Sequence, residues 1–298
     1  MRFLWVTGNH SASGRDTLFD IVDAIGGQMV DLGHQVEHHE NTMGRDYTNI
    51  LIEAFDARLE DQYRRAADAG ARFVIVMTER PGKPGFNDSY NPQMIERQRA
   101  FPLIARHAIA VWCLVPGAAE WAKQFNPHSA DLELGWSDYR AKLLHPGGVE
   151  PLTDFTYYGS MTPRRRGMIE AFKKRGYIVE NDSRRDSFMT PMARNMMVAF
   201  AKVVLGIDPF PDWKLVSNSR LATALALGRP VLAEPPKGPS AWSAVGVFAK
   251  SKNSYVDEAI AMLPRWREIY AEQRDRAREI LSPEKCVGRV MRETGVVE

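Results

Sequence analysis

The residues best suited to bind an anion lie in the second half of the chain, after a short apolar strand predicted at 155–158. Gly159 and Ser160 end that strand, and Arg164, Arg165 and Arg166 follow within one turn of a predicted helix. The free amides of a helix start favour an anion, and guanidinium groups donate paired hydrogen bonds to phosphate oxygens. This pattern predicts a phosphate site. An equally good interpretation is a capped helix, with Thr162 as its cap and the arginines in solvent.

A second set of polar residues borders the following elements. Asn218 and Arg220 stand at the start of a predicted helix, and Glu234 follows the next predicted strand. An amide and a guanidinium could hold phosphate or sugar, and a carboxylate at a strand end could hold ribose hydroxyls. Taken alone, helix capping by Asn218 or Ser219 and a surface turn at Glu234 explain these residues better than ligand binding does.

Candidate bases lie in the first half of the chain. His10 is in the loop after the first predicted strand, and an imidazole with a pKa of about 6.5 could take a proton from a hydroxyl. Asp16, Glu79 and Asp88 are alternative bases, and a plain hydrogen-bonding role for His10 is as good an interpretation. The loop from Gly8 to Gly14 has neither the glycine spacing of a dinucleotide-binding loop nor the lysine of a P-loop.

Alternating strands and helices must position these residues. We predict strands at 2–7, 34–40, 73–77, 108–115, 155–158, 177–180, 202–207 and 230–233. We predict helices at 18–32, 50–69, 93–106, 165–175, 191–201, 219–227 and 255–281. The strands are nearly continuous apolar runs, which is typical of parallel sheets covered on both faces. The fold class is therefore α/β, with two Rossmann-like domains. The stretch 144–151, rich in proline and glycine, is the predicted linker.

Composition excludes several classes of protein. The 298 residues are 44% hydrophobic and 26% charged, as in ordinary globular proteins. The two cysteines lack metal-ligand spacing, and we expect no metal site. Residues 1–150 hold 15 Lys and Arg against 20 Asp and Glu, a net charge of −5, whereas residues 151–298 hold 24 against 17, a net of +7. A basic second half suits an anionic ligand. We expect a cytoplasmic protein with no signal peptide and no membrane span.

The second half resembles the C-terminal domain of GT-B glycosyltransferases. The run 154–166 is similar to the start of that domain, and 216–221 and 226–234 are similar to its later landmarks. The resemblance covers about residues 144–282 and is closest to the family 1/4-like group that includes the spore-maturation glycosyltransferase-like proteins. The family pattern of two glutamates eight residues apart is incomplete, because Glu234 has Ala226 and Trp242 at those distances.

The resemblance implies a GT-B architecture, with two domains facing a cleft. Residues 1–147 would form the acceptor-side domain, and 148–298 would bind a nucleotide-diphosphate-sugar, with the last helix crossing back to the first domain. Gly159, Ser160, Arg164, Arg165, Arg166, Asn218, Arg220 and Glu234 would hold the donor. His10, Asp16 or Glu79 would act on an unknown hydroxyl acceptor. Such enzymes usually need neither a cofactor nor a metal, because cationic side chains stabilise the leaving diphosphate.

Other functions stay open at this point. The same chemistry could act on hydroxymethylated bases of phage DNA, although the negative first half counts against it. A nucleotide-sugar epimerase or a phosphorylase-like enzyme would share the fold. In a non-catalytic nucleotide-sugar-binding module, the first domain would serve only for docking. The donor nucleotide, the sugar, the stereochemistry and the oligomeric state do not follow from the sequence.

Overall fold

The computed structural model describes residues 1–7, 12–40, 42–145, 147–181, 190–213, 215–238 and 240–297, and only the backbone of 12–17. The strands are β1 (Arg2–Val6), β2 (Gln35–His39), β3 (Thr48–Ile52), β4 (Arg72–Met77), β5 (Ala110–Cys113), β6 (Ser129–Asp131), β7 (Thr153–Tyr157), β8 (Val179–Asn181), β9 (Ala201–Gly206) and β10 (Val231–Ala233). The helices are α1 (Ala12–Asp31), α2 (Glu60–Asp68), α3 (Pro92–Ala105), α4 (Ala118–Ala122), α5 (Asp138–Leu144), α6 (Pro163–Lys173), α7 (Pro191–Ala199), α8 (Asn218–Ala226), α9 (Tyr255–Met262), α10 (Trp266–Ile280) and α11 (Arg289–Glu293).

The chain divides into two compact units. The first comprises Met1–Leu18, Met29–Leu134 and Pro283–Glu298, and the second comprises Phe19–Gln28 and Gly135–Ser282. Neither unit is therefore one continuous stretch of chain. The division into 1–147 and 148–298 stays a prediction. Among the helices that the structure describes, none is both long enough and apolar enough to cross a bilayer.

The first unit is built on a parallel sheet of the order β2-β1-β3-β4-β5-β6, as far as its residues are described. In β4 every residue after Arg72 is buried, as expected for a strand covered on both faces. Strand β1 lies between β2 and β3, so the strand order reverses between β1 and β3. Such reversals open a crevice at the carboxyl ends of the strands.

The predicted helix at 50–69 is wrong in its first part. Residues 48–52 form β3, a fully buried strand inside the sheet, and α2 begins only at Glu60. The apolar residues Ile52, Phe55, Leu59 and Tyr63 recur at intervals of three and four, which imitates a helix. Ile52 belongs to a strand nonetheless, because a short apolar run alone does not distinguish a buried strand from a buried helix.

The second unit contains a smaller parallel sheet of the order β10-β9-β7-β8 in the described part of the chain. Its strand order reverses between β7 and β9, and a ligand crevice is expected at their carboxyl ends. Buried aromatic residues from the sheet and its helices fill the core beneath, among them Phe155, Tyr157, Phe172 and Tyr255. The α/β class and the two parallel sheets agree with the prediction.

Candidate functional site

The second unit has a crevice beside the strand-order reversal. It lies at the carboxyl ends of β9 and β10, and its volume is about 450 Å³ when its opening to solvent is included. Its lining includes Arg165 from α6, Asp208 after β9, Arg220 from α8 and Glu234 after β10. Three of the predicted donor-binding residues therefore border one cavity, although they are up to 69 positions apart in the sequence.

Two largely buried guanidinium groups lie at this cavity. Arg165 and Arg220 are 8% and 9% exposed, and among the described residues neither forms a salt bridge with an acidic side chain. Arg165 donates through Nε to the Ile207 carbonyl at 2.9 Å and through Nη1 to the Ser160 carbonyl at 2.8 Å. Arg220 donates through Nη2 to the Tyr158 carbonyl at 3.0 Å. Burial lowers the pKa of Arg165, and the charge of Arg220 acts in the same direction.

The start of α8 holds polar atoms without partners. The amide oxygen of Asn218 and the Nε of Arg220 are buried, and neither has a hydrogen-bond partner in the described part of the chain. The side chain of Ser217, at the cap position of α8, makes no capping hydrogen bond. A buried donor or acceptor without a partner costs about 1–3 kcal/mol. These atoms are therefore suited to a ligand that offers both an anionic acceptor and a hydroxyl donor.

Glu234 is held inside the protein by a neighbouring arginine. Its side chain is fully buried, and both of its carboxylate oxygens accept hydrogen bonds from the Arg164 guanidinium. The backbone amide of Asp208 donates to Glu234 Oε2 at 2.8 Å, and Arg164 also donates to the Asp208 carbonyl at 2.7 Å. The burial of Asp208, and after it the charge of Glu234, raises the pKa of Asp208 to about 6. Arg164 and Glu234 therefore connect the loops after β9 and β10.

The other predicted donor-binding residues differ in exposure. Gly159 and Ser160 are exposed at the end of β7, and Arg166 is exposed on α6. Thr162 does cap α6, since its side chain accepts from the Arg165 amide at 3.3 Å. Thr162 therefore caps α6 while Arg165 is buried, although the sequence pattern suggested a capped helix and an arginine site for an anion as alternatives.

One residue of this site was missed in the sequence. Tyr157 is fully buried, and the guanidinium carbons of Arg165 and Arg220 each lie 5.2 Å from the centre of its ring. An aromatic residue in a short strand normally predicts core packing. The signal that could have found it is its place at the end of β7, two residues before Gly159.

A second polar cluster lies at the carboxyl edge of the first sheet. Glu53 follows β3 and Glu79 follows β4, and the guanidinium of Arg97 from α3 bonds to both carboxylates. Glu53 also accepts from the Thr78 amide, and Glu79 from the Asn87 side chain. Burial, and after it the charge of Glu79, raises the pKa of Glu53 to about 7, against the opposing effect of Arg97. Two carboxylates thus share one guanidinium.

Backbone strain is concentrated at this cluster. Glu53, Asn87 and Asp88 have φ angles of 54°, 59° and 56°, in the left-handed region that side chains other than glycine rarely adopt. Strained residues of this kind often mark functional sites. Glu79, a predicted base, belongs to this cluster, whereas its partner Glu53 was missed because residues 50–69 were predicted as one helix. His10 and the side chain of Asp16 lie outside the described residues.

Comparisons with known proteins give the fold of this chain but no family. No model of a protein family matches the chain, and no curated protein is similar to it in sequence. The crystal structure of TarM matches with a TM-score of 0.55 at 12% identity, over 85% of this chain and 55% of that one. The chain thus spans about half the length of TarM. An α1,3-fucosyltransferase matches with a TM-score of 0.51 at 9% identity, over 99% of this chain and 89% of the other.

A third match is weaker. The DNA-modifying β-glucosyltransferase of phage T4 gives a TM-score of 0.45 at 12% identity, over 99% of this chain and 98% of the other, and a shared fold does not follow from that value. The two higher scores agree with two α/β units that each contain a parallel sheet. The chain therefore has the GT-B fold found in glycosyltransferases.

Proposed function

We propose that this protein is a glycosyltransferase that moves a sugar from a nucleotide-diphosphate-sugar to a hydroxyl acceptor. The observation that carries the proposal is the pair of buried arginines, Arg165 and Arg220, which line a cavity beside the strand-order reversal and form no salt bridge within the described part of the chain. Two such positive charges suit the diphosphate of a donor. The finer resemblance to the family 1/4-like and spore-maturation group belongs to this proposal and rests on the order of the motifs in 144–282.

The side chains at the cavity suggest how the donor would be bound. The free N–H groups of Arg165 and Arg220 would donate to phosphate oxygens, together with the amides at the start of α8. The unpartnered amide of Asn218 would pair with a hydroxyl of the donor. Glu234 would keep Arg164 in place next to the phosphates, and binding of ribose by Glu234 would require Arg164 to move away first.

The same arginines could assist the chemical step. When the bond between sugar and diphosphate breaks, negative charge grows on the leaving phosphate oxygen, and fixed cations in a buried site stabilise it. We therefore propose that the reaction needs no divalent metal and no cofactor. Turnover that persists after addition of EDTA would support this, and turnover that requires Mg²⁺ or Mn²⁺ would contradict it.

The acceptor's proton needs a base. His10, Asp16 and Glu79 stay the proposed candidates. Glu79 is held by Arg97 and Asn87, and its side chain is 17% exposed, so a hydroxyl can reach it. A base contributes about 10²–10⁴-fold to turnover. Glu79→Gln should therefore lower turnover by this factor and leave donor binding unchanged, and a normal rate would remove Glu79 from the candidates.

The experiment that tests the proposed function has two stages. Thermal unfolding is first followed with UDP-, GDP-, ADP- and dTDP-sugars, since a bound ligand raises the stability of the folded state. The stabilising donor is then incubated with the protein and with acceptors that include sugars, small alcohols and hydroxymethylated DNA. Arg165→Gln should abolish the stabilisation, and Arg166→Gln, at the exposed neighbour in α6, is the matched control.

The possible results separate the functions left open by the sequence. Release or transfer of the sugar supports an enzyme, and transfer to DNA alone would identify the phage-type alternative. Selective binding of a donor without hydrolysis or transfer would instead indicate a non-catalytic binding module. If none of the four donors stabilises the protein, the proposed function is wrong.

A further inference from the structure

The aromatic ring of Tyr157 contacts two positive charges at once. The guanidinium carbons of Arg165 and Arg220 both lie 5.2 Å from the ring centre, within the range of a cation–π contact. The Tyr157 hydroxyl has a weaker role, because its one hydrogen bond within the described part of the chain is a long one, to the Ser160 carbonyl at 3.4 Å. The ring, and not the hydroxyl, is therefore the part of Tyr157 that matters to the arginines.

Arg165 and Arg220 form no salt bridge among the described residues, and two neighbouring guanidiniums repel each other more strongly when they are buried. Backbone carbonyls accept hydrogen bonds from one or two N–H groups of each arginine. Because these carbonyls carry no net charge, they do not cancel the repulsion between the two guanidiniums. The negative face of an aromatic ring attracts both cations, and more strongly where the contact is removed from water. Tyr157 therefore favours an arrangement in which Arg165 and Arg220 stay close to each other.

The end of β7, next to Arg165 and Arg220, carries no side chain because residue 159 is glycine. Gly159 has a φ of 123°, and a Cβ atom there would lie 2.9 Å from Arg220 Nη2 and 3.1 Å from the Tyr157 hydroxyl. The unpartnered Nε of Arg220 and the remaining N–H groups of Arg165 are consequently available to a ligand. Two donor groups with a fixed spacing suit an anion that has two charged groups with a fixed spacing.

We propose that Tyr157 is a positioning residue that holds Arg165 and Arg220 together as one receptor for a diphosphate, so that the site selects two linked phosphates over one. The proposal rests on the donor site of the proposed function and does not require that a sugar is transferred. Its ligand class is a diphosphate ester or free pyrophosphate. Without the Tyr157 ring, Arg220 keeps its contact with the Tyr158 ring at 5.3 Å but shares no ring with Arg165, and we expect each arginine to bind a single phosphate independently.

The test uses inorganic pyrophosphate and inorganic phosphate as probes, with the full chain, in a calorimeter. We expect the parent protein to bind pyrophosphate at least about tenfold more tightly than phosphate, since a fixed pair of guanidiniums engages both groups. Tyr157→Leu should weaken pyrophosphate binding by about tenfold or more and bring the ratio close to one. Tyr157→Phe, which keeps the ring, should restore both the affinity and the ratio.

A matched control removes an aromatic ring from the same core. Tyr177 packs against Phe155 with ring centres 5.9 Å apart, and none of the cation–π contacts of the described residues involves it. Tyr177→Leu should lower the melting temperature without changing the ratio of the two affinities. This ratio separates a positioning role from a general loss of packing, because reduced stability alone weakens the binding of both anions.

If Tyr157→Leu fails to fold, replacement of Tyr157 by pentafluorophenylalanine gives the decisive comparison with Tyr157→Phe. Fluorination keeps the shape of the ring and removes its negative face, so the ratio should fall as expected for the leucine variant. The proposal is overturned if the leucine or fluorinated variant keeps the parent ratio, or if Tyr157→Phe loses it. If the protein prefers pyrophosphate to phosphate but uses no sugar nucleotide, the proposed function is wrong and the positioning role of Tyr157 still holds.

Discussion

Glu53 provides a direct test of the electrostatics in the first unit. Its side chain is 3% exposed, and it shares Arg97 with Glu79. Burial and the charge of Glu79 raise the pKa of Glu53 from 4.5 to about 7. We predict that Glu53→Gln changes the pH dependence of stability in a defined direction, because a glutamine cannot lose a proton.

The direction follows from proton binding in the two states. Between pH 4.5 and 7 the folded protein keeps a proton on Glu53 that the unfolded chain has released. A rise in pH through this window therefore lowers the stability of the parent. At about 1.4 kcal/mol per pH unit, the loss over the whole window is roughly 3 kcal/mol. The variant has no such loss, although it has a constant cost from the altered hydrogen bond to Arg97.

Urea unfolding at several values between pH 5 and 7 measures the effect. The quantity of interest is the unfolding free energy of the parent minus that of Glu53→Gln, since other titrating groups cancel in this difference. It should fall with rising pH. Glu120→Gln, at a side chain that is 76% exposed, should follow the parent throughout. A difference that is constant within about 0.5 kcal/mol, or that rises with pH, would refute the assignment of the proton to Glu53.

Three further predictions concern the second unit. In α6, Arg165→Ala should weaken the binding of a nucleotide-sugar by about tenfold or more, whereas the exposed Arg166→Ala should change it less than about twofold, as measured by calorimetry. Gly159→Ala should lower the melting temperature and donor affinity together, because φ is 123° and the new Cβ would meet Arg220 at 2.9 Å; unchanged values for both would show that the strand end adapts. Glu234→Gln should cost about 1.5–3 kcal/mol in urea unfolding, since Arg164 loses a charged partner, and a neutral result would mean that this ion pair adds nothing.

The place of the second unit's cavity, and three of the residues that line it, could be predicted from the sequence. Apolar strands bounded by glycine indicated the carboxyl ends of a parallel sheet, and Arg165, Arg220 and Glu234 all lie there. Their partners could not be predicted, because Arg164 and Glu234 are 70 residues apart and meet only once the sheet has formed. Tyr157 was missed for a related reason, since a strand pattern shows which residues are buried but not which cation packs against them.

In the first unit, the strand that ends just before Glu53 was harder to predict. The run Ile50-Leu51-Ile52 is apolar and short, and the spacing of later residues matched a helix. Once 48–52 is recognised as a strand, Glu53 becomes a polar residue at a strand end, just as Glu79 does. The β-branched residues Ile50 and Ile52 and the tyrosine and threonine before them were the available signal for a strand.

The discontinuity of the first unit has a consequence for how the protein is made. Its core includes Val290, Met291 and Val296, and the buried indole of Trp112 donates to the hydroxyl of Thr294, 182 positions later, at 3.2 Å. A ribosome releases these residues only after the whole second unit has been synthesised. The early strands must therefore wait, incompletely covered, while the later ones emerge, and chaperones have their longest opportunity to bind the nascent chain in that interval.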